Sequence, residues 1–332
     1  MYHIEDRLGT YFAFVCAVFF LIIIFGGGPR VESSVSEYVG KEYIENSFLE
    51  LVDRTYGKSR LLDTFCFDYL TCVEIRDEVV QLNGRSRIRR VARKDNHVLS
   101  YAYLKLPKQL TRNTLDTSKW EVDVSIKPLG SQGLIVDEIF ASGTLSLKQK
   151  SNAHVLILGL GGGFLSSYLH HAFPQMSITA VEPHRPTFEM AKKWFSLTPD
   201  KLFRVVVEDG IQYLKQSIRT GRLFDFIILD ACFIETDHDI HCPSKTFLDE
   251  TAVDYMAKLI REEGALIVNV LPNSNYPAQV IEKVKTAFTK SFKHHTVRVQ
   301  HVEGTSNYIL TITQFDYKGL YNELSSIADS SK

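Results

Sequence analysis

Residues 154–163 read HVLILGLGGG: five residues from His154 to Leu158, apolar from Val155 on, then five positions of which four are glycine. So short and continuous an apolar run predicts a strand covered on both faces, and glycines directly behind it predict a tight turn. The apolar residues beyond Gly163 predict a helix from Phe164 to about Ala172. The same rhythm continues downstream. SITAVE (177–182), FRVVVE (203–208), FDFIILD (224–230) and ALIVNVL (265–271) read as buried strands. Helical stretches at 186–195, 211–219, about 248–261 and 277–291 separate or follow them. HHTVRVQHV (294–302), a Glu303-Gly304 turn and NYILTIT (307–313) read as a closing hairpin, whose short turn makes its strands antiparallel. The fold class expected is α/β: a doubly wound sheet over 147–316 ending in an antiparallel hairpin, with a tail at 317–332.

Upstream of this block the rhythm is different. FLELV (48–52), SRLLDTFCF (59–67), YLTCVEI (69–75), SRIRRVA (86–92), LSYAYLKL (99–106) and WEVDVSI (120–126) read as strands separated by turn signals, Asn83-Gly84 being the best hairpin signal. They predict a small, mostly antiparallel β-domain over 48–146, ending in a helix near 133–146. Residues 29–47 read as a polar linker with room for a short helix.

The first 28 residues are predicted to be a transmembrane anchor. Tyr11–Phe25 carries no charge, and 8–28 as a helix extends about 31 Å, enough to cross a bilayer core. A cleaved signal peptide is the alternative; the acids Glu5 and Asp6 and the placement of Pro29 favour the anchor. The expected location is therefore single-pass at a membrane, with the body cytosolic rather than lumenal. The spread of Cys66, Cys72, Cys232 and Cys242 shows no disulfide framework, and no Asn-x-Ser/Thr acceptor occurs. Net charge is −1, so no specific nucleic-acid partner is expected. The basic run Arg85, Arg87, Arg89, Arg90, Arg93 and Lys94 reads either as a contact for anionic lipid, RNA or an acidic protein, or as a charged edge strand.

In doubly wound sheets ligands sit beyond the carboxyl ends of the strands. Four features of the sequence fall there. They are the loop with Gly159, Gly161 and Gly163; Glu182, 23 residues after Gly159; Asp209-Gly210; and Asp230. Glycines let backbone approach a ligand, an acid at the end of strand two accepts ribose hydroxyls, and one after strand three takes an adenine amino group. A dinucleotide loop needs a third glycine at 164, where Phe164 stands, so the pattern favours S-adenosylmethionine over NAD.

TYGKSRLLD (55–63), DEVVQ (77–81), HVLILGLGGG (154–163), AVEP (180–183), VEDGIQYL (207–214) and FDFIILDA (224–231) resemble the spermidine/spermine synthase superfamily over roughly residues 50–315. Within it the nearer likeness is to the C-terminal domain of the methyltransferases of translation elongation factor 1-alpha. It rests on GLGGG followed by an apolar residue, AVEP, and Cys242-Pro243 before a helix. The resemblance implies a class I methyltransferase fold, with cofactor contacts at Gly159, Gly161, Gly163, Glu182 and Asp209 and a catalytic-face position for Asp230. Gln81 matches a superfamily position near the nucleoside. The sequence departs from polyamine synthases where those carry two acids for an amine: Gly162 and Ile234 stand there.

Methyl transfer needs alignment and exclusion of water more than covalent help, and Asp230 is the residue placed to orient an amine nucleophile. The expected function is a membrane-anchored, S-adenosylmethionine-dependent methyltransferase with a protein substrate. A polyamine aminopropyltransferase and a catalytically silent scaffold are the alternatives. Cys232, Asp237, His238, Asp239, His241 and Cys242 match no standard zinc spacing, so no metal is expected.

Overall fold

The apolar strands lack polar alternation because helices cover both of their faces. The computed structural model describes residues 30–66, 72–82, 84–95, 97–144, 152–232 and 239–314. Within these, β5 (His154–Leu158), β6 (Ser177–Glu182), β7 (Phe203–Val207), β8 (Phe224–Leu229), β9 (Ile240–Cys242), β10 (Ile260–Pro272), β11 (Thr296–His301) and β12 (Tyr308–Thr313) form one sheet. Its order is β11-β12-β10-β8-β5-β6-β7, with β9 beside β10. Strands β7, β6, β5, β8 and β10 are parallel, whereas β12 is antiparallel to both β10 and β11.

Residue parity decides which helices each strand meets. Leu156, Leu158, Ile227, Leu229, Leu266 and Val268 face one core with α5 (Gly210–Arg219), α6 (Glu250–Leu259) and α7 (Pro277–Thr289). Val155, Ile157, Phe226, Ile228 and Ile267 face the other with α2 (Gly130–Ala141), α3 (Phe164–Ala172) and α4 (Arg185–Trp194). The chain runs outward from β5 through β6 to β7, then crosses back to β8 on the other side of β5. That reversal opens a crevice at the carboxyl ends of β5 and β8.

A separate four-stranded antiparallel sheet, β1 (Ser59–Cys66), β2 (Cys72–Leu82), β3 (Arg85–Lys94) and β4 (His97–Tyr103), precedes it. The hairpin expected at 83–84 joins β2 to β3, with Leu82 opposite Arg85. Two strand expectations fail. FLELV is the end of a 27-residue helix, α1 (Arg30–Tyr56), which also replaces the linker expected at 29–47. Phe48, Leu49 and Val52 are buried while Leu51 is 37% exposed, a helical period that a five-residue window does not reveal. WEVDVSI makes only the isolated bridge Leu104–Val122. Its groups bond elsewhere: Trp120 Nε1–H to the Thr114 carbonyl, and Val122 N–H to Ser196 Oγ.

The basic run is not an edge. Strand β3 lies between β2 and β4, and acids of β2 answer its charge. Arg90, 2% exposed, makes two bonds to Asp77 (2.8 and 2.9 Å) and donates to the carbonyls of Trp194 and Thr117. Arg89 and Arg93 both pair with Glu78.

Three further expectations need correction. No helix among the described residues is long and apolar enough to cross a membrane, and residues 8–28 lie outside the described residues. The single-pass membrane location expected from that run is corrected accordingly, since no described helix carries it. The body cysteines are paired: Cys66–Cys72 and Cys232–Cys242 are disulfides. The β1–β2 register places the first pair opposite each other, and β9, pairing with β10, returns Cys242 to the end of β8. The cysteine argument for a cytosolic body falls with them.

Candidate functional site

A cavity of about 530 Å³ lies at the crevice, between the carboxyl ends of the larger sheet and the smaller sheet. Leu158–Gly161, Val181–His184, Asp209–Gly210 and Asp230–Cys232 form one wall; Val73, Ala92, Lys94, Leu99 and Ser100 form the other. Gln132 of α2 and the segment with Thr246 and Phe247 complete it.

Gly159 sits at φ +100°, and a Cβ there would fall on the Asp230 carbonyl. The turn thus needs a residue without a side chain so that the ends of β5 and β8 can lie side by side. Gly159 and Gly161 reach the cavity wall, whereas Gly163 does not. Gly163 caps α3 at φ +75°, against the Leu197 side chain. Gly162 donates its N–H to Ser100 Oγ at 2.6 Å, and a Cβ there would lie 2.9 Å from the Phe195 ring. The direction an acid would take at 162 is therefore occupied.

Glu182 is buried and binds the loop to its own strand. Oε2 accepts the Leu160 N–H at 3.3 Å and Oε1 the His184 N–H at 3.0 Å. Burial raises its carboxyl above the usual range, and the two N–H groups work against that rise. The Thr187 side chain donates to the same carboxylate, which retains room for one further donor. Asp209 caps α5, its Oδ1 accepting from Gln212 N–H at 2.9 Å, and also lines the cavity beside Gly210. A Cβ on Gly210 would meet the Phe247 ring.

Asp230 ends β8 at the cavity wall, and burial pushes its carboxyl up to about 6. Asn269 opposes that shift by donating Nδ2–H to Oδ1 at 2.7 Å. Asn307 donates to the Asn269 carbonyl oxygen at 3.0 Å, which holds the Asn269 amide with its NH₂ toward Asp230. Asn269 is the single polar residue in ALIVNVL, a signal that sequence reading passes over. Ser100 and Lys94 carry no such signal, because a separate sheet brings them to the loop. Gln81 is exposed and bonded to Ser86, away from the cavity. Of the loop 232–243, residues 233–238, including Ile234, Asp237 and His238, lie outside the described residues. Cys232 and Cys242 are committed to each other, and no metal-holding group of three His, Cys, Asp or Glu occurs among the described residues.

A family model described as spermine/spermidine synthase domain matches residues 135–322. An eEF1A lysine and N-terminal methyltransferase homolog of Drosophila melanogaster is 33% identical over 124 residues, 37% of this chain and 18% of its own length. A polyamine aminopropyltransferase of Vibrio vulnificus is 32% identical over 120 residues, 36% of this chain and 38% of its own. The chain thus matches well under half the length of either relative. The crystal structure of a probable spermidine synthase from Corynebacterium glutamicum superposes with a TM-score of 0.53, covering 77% of this chain and 80% of that one. At 13% identity this is a likeness of fold alone.

Proposed function

The chain belongs to the spermine/spermidine synthase domain family, and from that premise we propose that it is an S-adenosylmethionine-dependent methyltransferase acting on a protein amine. One observation carries this reading: a single cavity wall collects the glycine loop, Glu182, Asp209 and Asp230 from four successive strand ends. The name of the Drosophila relative, a lysine and N-terminal methyltransferase homolog, supports methyl transfer and an amine acceptor.

The residues fit that cofactor. Gly159 and Gly161 offer backbone without side chains, and Glu182 keeps acceptor capacity for a ribose hydroxyl. Asp209 borders the same cavity for the base. When bound, the cofactor supplies a methyl group already activated by its sulfonium. What the chain adds is position. With the cofactor bound, Asp230, held by Asn269, would accept a hydrogen bond from the acceptor amine, orient its lone pair and take the proton released as the N–C bond forms and the methyl–sulfur bond breaks to leave a neutral thioether.

Calorimetry of the full chain with S-adenosylmethionine, its decarboxylated form and NAD tests the cofactor. Glu182→Ala is expected to weaken S-adenosylmethionine by about 1.5–3 kcal/mol, through loss of charge-assisted hydrogen bonds. Undiminished affinity in that variant removes Glu182 from the site. The Vibrio relative favours a second reading, aminopropyl transfer to a polyamine. Against it, Gly162 and Ile234 stand where those synthases hold an amine with acids, and Phe195 and Ser100 fill the space beside Gly162. Extension of putrescine or spermidine by the purified protein decides for this second reading.

A further inference from the structure

The glycine loop has little left with which to hold a carboxylate. Gly159 N–H donates to the Val181 carbonyl, Leu160 N–H to Glu182, Gly162 N–H to Ser100 Oγ and Gly163 N–H to the Leu160 carbonyl. Only Gly161 among the five loop positions keeps an uncommitted N–H. Yet a cofactor with an amino-acid tail brings a carboxylate and an ammonium into this cavity, and both need partners once water is excluded.

Two groups that line the cavity have no partner among the described residues. Lys94, at the end of β3, lines the cavity and makes no ion pair among the described residues. Within the basic run Arg85, Arg89, Arg90 and Arg93 each have a carboxylate partner; Arg87, like Lys94, has none among the described residues, but of the two only Lys94 lines the cavity. Gln132, in the first turn of α2, lines the same cavity, and its Oε1 is buried without a hydrogen-bond partner. A buried acceptor left unpaired is costly and marks a place where a donor belongs. Ser100 brings the Lys94 strand to the loop: it pairs with Ala92 on β3, two residues before Lys94, and its hydroxyl accepts from Gly162.

We propose that Lys94 and Gln132 form a clamp for the zwitterionic amino-acid end of the cofactor, Lys94 taking the carboxylate and Gln132 Oε1 the ammonium. This rests on the S-adenosylmethionine reading and names the residues that select the full cofactor over its decarboxylated form. A decarboxylated tail offers Lys94 no anion and sets a second cation in the same wall.

The test is calorimetry of the full chain with S-adenosylmethionine, decarboxylated S-adenosylmethionine and 5′-methylthioadenosine, which has no amino-acid tail. Lys94→Met is expected to weaken S-adenosylmethionine roughly tenfold to a hundredfold and to leave methylthioadenosine unchanged. The preference for the full over the decarboxylated cofactor should shrink accordingly, and Lys94→Arg should retain most of it. Gln132→Leu is expected to weaken both tailed ligands alike and again spare methylthioadenosine. Unchanged methylthioadenosine binding also certifies that each variant is folded. If the wild type binds all three ligands and Lys94→Met keeps the original preference, the clamp is wrong and the cofactor reading stands. If the wild type binds neither tailed ligand, both fall together.

Discussion

Asp230→Asn is expected to leave S-adenosylmethionine affinity within about twofold and to lower methyl transfer by about 10²–10⁴, the range of a positioned acid–base group. The substitution preserves shape but removes the proton acceptor facing the amine. Because burial holds the Asp230 carboxyl at about 6, the wild-type rate should rise with pH through that value as the reactive carboxylate forms. Asn269→Ala removes the donor that stabilises the carboxylate, so this rising limb should move to higher pH without loss of cofactor binding. A stability effect of opposite sign accompanies the loss of activity. The native state holds a proton on Asp230 between about pH 4 and 6 that the unfolded chain has released, so folding stability falls as pH rises through that window. Asn carries no such burden, and the variant should melt above the wild type at neutral pH. Turnover unaffected by Asp230→Asn would remove this residue from the chemistry, and a lower melting point would contradict the assigned burial penalty.

The second large effect is structural. Arg90→Met is expected to destabilise the protein by about 3–5 kcal/mol, seen as a lower urea midpoint with the slope unchanged. The Arg90 and Asp77 side chains are each 2% exposed, so removing the guanidinium leaves a carboxylate buried without its counter-ion. It also frees the carbonyls of Thr117 and Trp194, the latter at the end of α4, so the bond between the two sheets' substructures weakens. Adding Asp77→Leu should recover part of the loss, because an apolar pair costs less to bury than one unpaired charge. If the single variant loses under about 1 kcal/mol, water must reach Asp77 and the pair is not a structural clamp.

The larger sheet was legible because its signals are local. Its parallel strands each carry a short, largely apolar run near a turn signal, and both faces need apolar residues once helices cover them. The acids at strand ends were legible for the same reason: position along one short segment decides which end of the sheet a residue occupies. FLELV and WEVDVSI misled because five to seven residues carry too few periods to separate a helix or a loop from a strand. The basic run misled because charge along a sequence says nothing of the acids opposite it, and Asp77 and Glu78 meet it only across a strand register.

By itself, then, the sequence determined an alternating α/β layout, a glycine turn after its first strand, and carboxylates at the ends of the next three. These follow from hydrophobic period and backbone permission, which neighbouring residues set. Only the tertiary structure decided which polar groups are spent and which are free. It assigned Gly162 N–H to Ser100, the Asn269 amide to Asp230 and Arg90 to Asp77, and left Lys94 at a cavity wall and the Gln132 side-chain carbonyl buried there without a partner. The physical reason is that hydrogen bonds and ion pairs act over about 3 Å in space, at any distance along the chain.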